Sequence, residues 1–333
     1  MKKRITLSKI CVCFLFLFLN NPVSASGQKQ ESPVDDVQNP EINIAGYIKS
    51  SIDYVFTESD ERSNFNVNNA RLKFSGKLLT NTDYGIQFDM TRKDVLSDAY
   101  INHLITPSLS VKLGQYKTPY STDNLVSSTK IAFIKCPLIK ENVSPNIRDR
   151  GIQATYKRSY FDIIAAVMNG AGQNKAETNY NKSLALRVVG RIIPQLQVSG
   201  NYYTGKNNPA DKKKDVFINF GARGKAGGWE YAAEIAQQEH AALTEHSFYV
   251  FAAYDWKTTT EYVNMITPAF RIEGYDPDTD LEYNFQQRYT LGVTFNLNAE
   301  KYVNRVMLNY EINEDEDDVT VDDLVRLEYM VKF

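Results

Sequence analysis

The stretch of sequence that decides this fold is LVRLEYMVKF, which runs from Leu324 to Phe333. Every odd position from 325 onward is apolar, whereas Arg326, Glu328 and Lys332 occupy even positions. Because successive side chains of a β-strand point to opposite faces, one face of this strand is apolar and the other is largely charged. A strand that ends on an aromatic residue, with one face for lipid and one for water, is typical of a transmembrane β-barrel.

Fifteen further segments show the same alternation, so the sequence predicts sixteen strands. They cover residues 41–56, 66–79, 82–91, 96–106, 108–116, 150–158, 160–169, 183–193, 195–204, 215–224, 228–237, 246–256, 260–272, 286–297, 303–313 and 323–333. Most are about 9–14 residues long, which suits a tilted strand that crosses a membrane. Short connectors alternate with long polar ones, except at residues 92–95. The predicted fold class is therefore all-β, a 16-stranded antiparallel transmembrane β-barrel over residues 41–333.

The two faces of these strands predict a wet interior. In the eighth strand Leu184, Leu186 and Val188 point one way, and Arg187 and Arg191 point the other. Apolar residues make up only 43% of the chain, although much of it alternates. A cylinder of ~16 strands is too wide for side chains to fill, so we expect an aqueous channel inside it.

The N-terminus has the pattern of a secretory signal peptide. A basic start at residues 2–4 is followed by an apolar run at 10–19 and by small residues up to Ala25. We therefore expect residues 1–25 to be removed during secretion, with an amphipathic N-terminal helix as the alternative. Residues 26–40 are predicted to form a short polar periplasmic segment.

Removal of residues 1–25 changes both the charge and the cysteine content. Four basic residues are lost, which leaves 34 Lys and Arg against 40 Asp and Glu, a net charge of −6. This acidic balance argues against a nucleic-acid-binding protein. Cys136 remains as the sole cysteine, so we expect no intramolecular disulfide and no cysteine-based metal site. We predict neither a cofactor nor a metal.

The connector between the fifth and sixth strands, residues 117–149, is the longest between any two of the predicted strands. It is not polar throughout, since it contains Ile131, Phe133 and Ile139 among its charged residues. A loop of this length and apolar content is usually packed against something and functional. We expect it to fold into the lumen and narrow it. An external cap and a latch at a trimer contact are the alternatives.

Several short motifs in the mature chain resemble those of one porin family. They read DAYI at 98–101, GQYKTPYS at 114–121, RDRGI at 148–152, MNGAG at 168–172 and RVVGR at 187–191. Together and in this order they resemble the phosphate-selective porin O and P family. The resemblance covers most of the mature chain, and its motifs say little about selectivity.

This resemblance implies an outer-membrane barrel of a Gram-negative bacterium that is usually a homotrimer. It also implies a third external loop folded into the lumen, which corresponds here to residues 117–149. The resemblance further implies that the C-terminal strand, which ends at Phe333, is recognised by the barrel-assembly machinery. Besides that machinery, the expected partners are outer-membrane lipid and small anions or other small hydrophilic solutes.

Anion selection in a pore requires cationic side chains that face the water path. The inward-facing candidates are Arg71, Lys73, Lys77, Lys112, Arg187, Arg191 and Arg223, and those from the long loop or its end are Lys130, Lys135, Lys140, Arg148 and Arg150. In an external loop Lys212, Lys213 and Lys214 could draw anions towards the mouth through their field. Inward carboxylates such as Asp89 and Glu328 fit a general pore equally well, so a phosphate preference stays open.

Two other classes of protein share this fold. A structural or adhesin barrel would keep the strands but close the pore. A barrel hydrolase would need a nucleophile next to a base. Only His103, His240 and His246 remain after cleavage, and none belongs to a recognisable Ser/His or histidine–carboxylate metal motif. We therefore predict a porin and not an enzyme.

Overall fold

The computed structural model describes residues 41–56, 61–177, 180–206, 214–240, 243–282, 284–298, 300–316 and 322–333. The predicted signal peptide, the predicted periplasmic segment, Lys212 and Lys213 lie outside these residues. Within these ranges, no helix is both long enough and apolar enough to cross a membrane.

The described chain forms one antiparallel sheet in which each strand pairs with its neighbours in sequence. Its strands are β1 (Asn43–Phe56), β2 (Glu61–Leu79), β3 (Thr82–Asp89), β4 (Leu96–Thr106), β5 (Leu109–Lys117), β6 (Arg148–Lys157), β7 (Phe161–Met168), β8 (Ser183–Ile193), β9 (Leu196–Gly205), β10 (Asp215–Ala226), β11 (Trp229–His240), β12 (Leu243–Tyr254), β13 (Trp256–Lys257), β14 (Met265–Asp276), β15 (Gln286–Asn296), β16 (Asn304–Asp315) and β17 (Asp323–Lys332). Because β12 and β13 both pair with β14, they are two parts of one strand interrupted at Asp255. The described ranges therefore contain sixteen membrane-crossing strands, as predicted. Two short helices, α1 (Thr122–Leu125) and α2 (Leu138–Glu141), lie between β5 and β6.

The first and last strands close the sheet into a barrel. Strand β1 pairs with β2 on one side and with β17 on the other, where Ile48 lies opposite Val331. Beyond that register, the backbone N–H of Phe333 donates to the carbonyl oxygen of Gly46 at 2.9 Å, and the N–H of Gly46 donates back at 2.9 Å. A Cβ at Gly46 would overlap the Phe333 ring, so the seam requires glycine there.

The barrel buries polar residues and exposes apolar ones, the reverse of a water-soluble protein. In β8, Val188 is 43% exposed, whereas its neighbour Arg187 is 7% exposed. In β14 and β15 the same contrast separates exposed Phe270 and Leu291 from buried Arg271. Exposed apolar side chains on alternate positions form the lipid face of a transmembrane barrel, and the polar side chains between them face its interior.

The predicted thirteenth strand begins earlier in the sequence than the observed one. The sequence predicts it over residues 260–272, but β14 covers Met265–Asp276. Residues 258–264 instead form a hydrogen-bonded turn, in which the hydroxyl of Thr260 donates to the carbonyl oxygen of Val263 at 2.7 Å. β-Branched threonines favour strands on average, and local side-chain hydrogen bonds overrode that preference here.

A charge on the lipid face should destabilise the barrel, because it would have to leave water for hydrocarbon. Val188 lies at the middle of β8 on this face, so Val188→Arg is expected to lower the free energy of unfolding by about 2–4 kcal/mol. Urea unfolding in lipid vesicles measures this loss. The control is Asn102→Arg, on the inner face beside Asp83, where the new cation gains a partner. Equal losses in the two variants would contradict the assignment of the faces.

Candidate functional site

Ion pairs between neighbouring strands line the inner face of the barrel. Arg71 Nε lies 2.8 Å from Asp89, directly opposite in the β2–β3 register. Across the closing seam, Lys49 Nζ lies 3.0 Å from Glu328. The side chains of Lys49 and Glu328 are each 2% exposed. A charge this deeply buried requires a partner, so these pairs keep opposite charges together along the wall.

Residues 118–147, which connect β5 to β6 and which we call the inner loop, contact the side chains of this inner face. Ser128 Oγ lies 2.5 Å from the hydroxyl of Tyr47 in β1. The backbone N–H of Thr122 donates to Glu234 of β11 at 2.7 Å, and α1 begins there. The N–H of Ile134 donates to Asn309 of β16 at 2.7 Å. The inner loop therefore contacts wall residues from strands far apart around the barrel.

Aromatic contacts add an apolar component to this packing. The ring of Phe133 lies edge-on to Phe251 of β12, with 5.7 Å between centroids, and the ring of Tyr120 lies 6.0 Å from that of Phe217 in β10. Ile139 is also buried, in the same cluster as Phe133. Such aromatic pairs are each worth about 0.5–1.5 kcal/mol beyond their buried area. Phe133 and Ile139, two of the apolar residues that made this loop unusual in the sequence, are buried in this packing.

Seven of the thirteen predicted cations that lie in the described residues are held in ion pairs or hydrogen bonds. The observed contacts are Arg148 to Asp98 at 2.8 Å, Lys140 to Asp123 at 3.3 Å, Lys135 to Glu141 at 3.7 Å, Arg187 to Asn201 at 2.5 Å, Arg191 to Asp162 at 2.5 Å and Arg223 to Glu230 at 2.5 Å. Arg71 joins them through Asp89, as described above. These side chains hold the wall and the inner loop in place.

Three predicted cations differ from this group. One row in register across β2 to β5 contains Lys77, Asp83, Asn102 and Lys112, and Lys73 lies four residues before Lys77 on β2. Among the described residues, no carboxylate oxygen lies within 4.0 Å of the ammonium groups of Lys73, Lys77 or Lys112. The Lys112 ammonium instead lies 4.7 Å from the centroid of the Tyr100 ring. This wall therefore carries positive charge without direct pairing.

The remaining predicted cations do not join this row. Lys130, in the inner loop, and Lys214, just before β10, are exposed. Arg150 is also exposed, and it alternates in step with Ile152, which is 45% exposed on the lipid face of β6. The sequence placed Arg150 among the pore cations because it follows the long loop. Arg148 has the same parity but is buried and paired with Asp98, so the alternation of β6 starts only at Arg150 and turns it outward. The structure therefore does not bring Arg150 to the inner face.

Sequence reasoning missed the arginines that contact the backbone of the inner loop. Arg271, Arg288 and Arg305 lie on β14, β15 and β16, and each donates to a carbonyl oxygen of the loop. The alternation of polar and apolar residues along β14, β15 and β16 is the signal that could have placed them on an inner face. Nothing in the sequence shows that one loop reaches all three.

Other titratable groups of the described barrel form local pairs. His240 Nδ1 lies 2.7 Å from Asp215, and His103 Nδ1 lies 2.8 Å from the hydroxyl of Thr82. In the part of the chain that the structure describes, no three His, Cys, Asp or Glu side chains are arranged to hold a metal ion.

The thiol of Cys136 should report on the packing of the inner loop. Burial raises the pKa of this thiol to about 11, well above the ~8.5 of a free cysteine, so at pH 8 nearly all of it stays protonated and unreactive. Maleimide labelling at pH 8 is expected to be about a hundredfold slower than for a cysteine placed at the exposed Ser127 in a Cys136→Ser background. Labelling should accelerate as the pH rises towards 11. Equal rates at the two positions would show that the loop is not packed.

Three solved structures with a similar fold are distant from this chain in sequence. An anion-selective porin from Comamonas acidovorans matches with a TM-score of 0.68 and 13% identity, over 88% of this chain and 100% of that chain. The trimer form of OmpT, an outer membrane protein of Vibrio cholerae, gives 0.64 and 10%, over 88% and 99%. The outer membrane channel DcaP of Acinetobacter baumannii gives 0.62 and 11%, over 88% and 98%. At these identities the likeness establishes the barrel fold.

The family itself is established from the sequence. No curated protein matches the chain. A model of the family described as phosphate-selective porin O and P matches residues 43–242, which is more than half of the chain. The match includes the row from Lys77 to Lys112 and the whole inner loop. This protein therefore belongs to the phosphate-selective porin O and P family of outer-membrane channels.

Proposed function

We propose that this protein forms a water-filled pore that small hydrophilic solutes and ions cross by passive diffusion. One observation carries the proposal: the closed sheet has an apolar outer face and a charged, polar inner face. A sheet of ~16 strands encloses more space than its own side chains can fill. Polar groups on the inner face are stabilised by water where they lack protein partners, which suits a hydrated lumen.

The inner loop supplies the constriction of this pore. It was predicted as residues 117–149, and its contacts with β1, β11 and β16 support a position across the lumen. Ser128 of this loop also accepts a hydrogen bond from Arg71 of β2 at 3.2 Å. Because the loop occupies part of the cross-section, the remaining passage is narrower than the barrel itself.

A preference for anions follows from how the charges of this passage are paired. On the β2–β5 wall, Asp83 keeps its charge, because its partner Asn102 is a neutral amide. Asp89, by contrast, is ion-paired with Arg71, and Asp98 with Arg148. The lysines at 73, 77 and 112 have no such partner among the described residues. Paired carboxylates repel a passing anion weakly, whereas an unpaired ammonium attracts it. The anion preference is therefore general, and phosphate is one candidate solute.

We expect purified protein in planar lipid bilayers to give discrete ion-conducting steps. Under a salt gradient, the reversal potential should have the sign of an anion-selective pore. Lys73→Glu combined with Lys112→Glu should move it towards cation selectivity, because two unpaired positive charges become negative. If added phosphate blocks the chloride current, phosphate is a solute that binds in the pore.

The matched control is Arg150→Glu, which makes the same kind of charge change on the exposed outer side of β6. It should leave the reversal potential close to that of the wild type. An absence of conducting steps would favour the structural or adhesin barrel instead. A cation-selective wild type, or an equal shift in the control, would refute the anion preference.

We further propose that this protein is a homotrimer in the outer membrane. We also propose that the barrel-assembly machinery recognises its C-terminal strand, which ends at Phe333. The trimer form of Vibrio cholerae OmpT and the family assignment support the homotrimer. Native mass spectrometry in detergent should give the mass of three chains. Phe333→Ala should lower the yield of folded barrel in the membrane, because it removes the ring packed over Gly46. A monomer mass would contradict the trimer, and an unchanged yield would contradict the role of Phe333.

A further inference from the structure

The backbone of the inner loop between Ile131 and Leu138 is hydrogen-bonded to side chains of the barrel wall. This segment lies outside every strand of the described chain, so no sheet partner satisfies its polar groups. Buried backbone N–H and C=O groups nevertheless need hydrogen bonds. Within eight residues, three carbonyl oxygens accept bonds from wall arginines, and two N–H groups donate to wall side chains.

Three arginines on consecutive strands provide the donors. Arg271 Nη1 donates to the carbonyl oxygen of Lys135 at 3.0 Å, and Arg288 Nη2 donates to that of Cys136 at 2.7 Å. Arg305 Nη1 donates to the carbonyl oxygen of Ile131 at 3.1 Å. The exposed fractions of the arginines on β14, β15 and β16 are 3%, 1% and 1%. The loop covers these guanidinium groups, so a passing ion meets the loop before it meets them.

Two acceptors on the same wall complete the attachment. Asn309 Oδ1 accepts the N–H of Ile134 at 2.7 Å, and Glu273 accepts the N–H of Leu138 at 2.9 Å, at the start of α2. Glu273 is in turn held by Arg288, whose Nη2 lies 2.7 Å away. The bonds that Asn309 and Glu273 make to the loop, like the three from the arginines, involve its main chain. These five bonds do not depend on which side chains the loop carries, although Arg288 also donates to the Glu141 side chain at 3.3 Å.

We propose that Arg271, Arg288 and Arg305 are positioning residues, which hold the inner loop by its carbonyl oxygens and so set the width of the passage. In this assignment they do not form the surface that meets the permeating anion. That surface belongs to the unpaired lysines of β2 and β5, at 73, 77 and 112. The inference rests on the proposed channel and assigns separate roles to two groups of cations.

Arg305→Gln is the most direct test. Among the described residues, Arg305 has no carboxylate within 4.0 Å, so its replacement leaves no buried acid unpaired. Loss of the bond to Ile131 should free the loop, and single-channel records should show several-fold more open-state current noise. The reversal potential should move less than in Lys73→Gln, which removes the same charge without touching the loop. Lys73→Gln should in turn keep the wild-type noise.

Asn309→Ala gives a second, independent test, because it removes a bond to the loop with no change of charge. It should also raise the open-state noise, while its reversal potential changes only through the altered width. The inference is overturned if Arg305→Gln is as quiet as the wild type and shifts the reversal potential as much as Lys73→Gln. It is equally overturned if Asn309→Ala folds and is quiet. If the wild type itself gives no steps, the proposed channel fails and not merely this assignment.

Discussion

Backbone hydrogen bonding across the seam between β1 and β17 is the constraint on which the rest of this structure depends. Inside a membrane there is no water to bond an unpaired strand edge, so a sheet must close on itself. The bonds between Gly46 and Phe333, and the paired register that continues from Tyr47 to Phe56, provide that closure. Once the sheet is closed at this strand number, its interior is too wide for wall side chains to fill.

That width explains how charges are arranged on the inner face. Wall residues cannot reach one another across the lumen, so their charges are paired along the wall, as between Lys49 and Glu328. The inner loop adds further contacts to the same inner-face side chains. Because this loop has no strand partner, the wall must satisfy its backbone, and Arg288 and Asn309 lie where those bonds are needed. The width of the closed sheet therefore accounts both for the pairing of charges along the wall and for the bonds from the wall to the loop.

Alternation along each strand made most of the barrel predictable. The predicted limits of β4 and β8 agree with the structure to the residue, and the face of Val188 was read correctly. Prediction failed where local hydrogen bonds replaced strand pairing, as in the turn around Thr260. It also failed for Arg150, whose side chain turns outward because the alternation of β6 starts at this residue and not at Arg148. Both errors occur at strand ends, where the alternation stops carrying information.

The sequence by itself determined the strand number, the two faces, the length and apolar content of the inner loop, and the family. All of these are local or additive properties, since each strand shows its own alternation without reference to any other. The partners of the charges were decided by the tertiary structure. Arg305 and Ile131 are 174 residues apart, and only the register of the closed sheet and the path of the loop bring them to 3.1 Å. The same is true of the lysines at 73 and 112, whose lack of a carboxylate partner depends on which strand lies beside which.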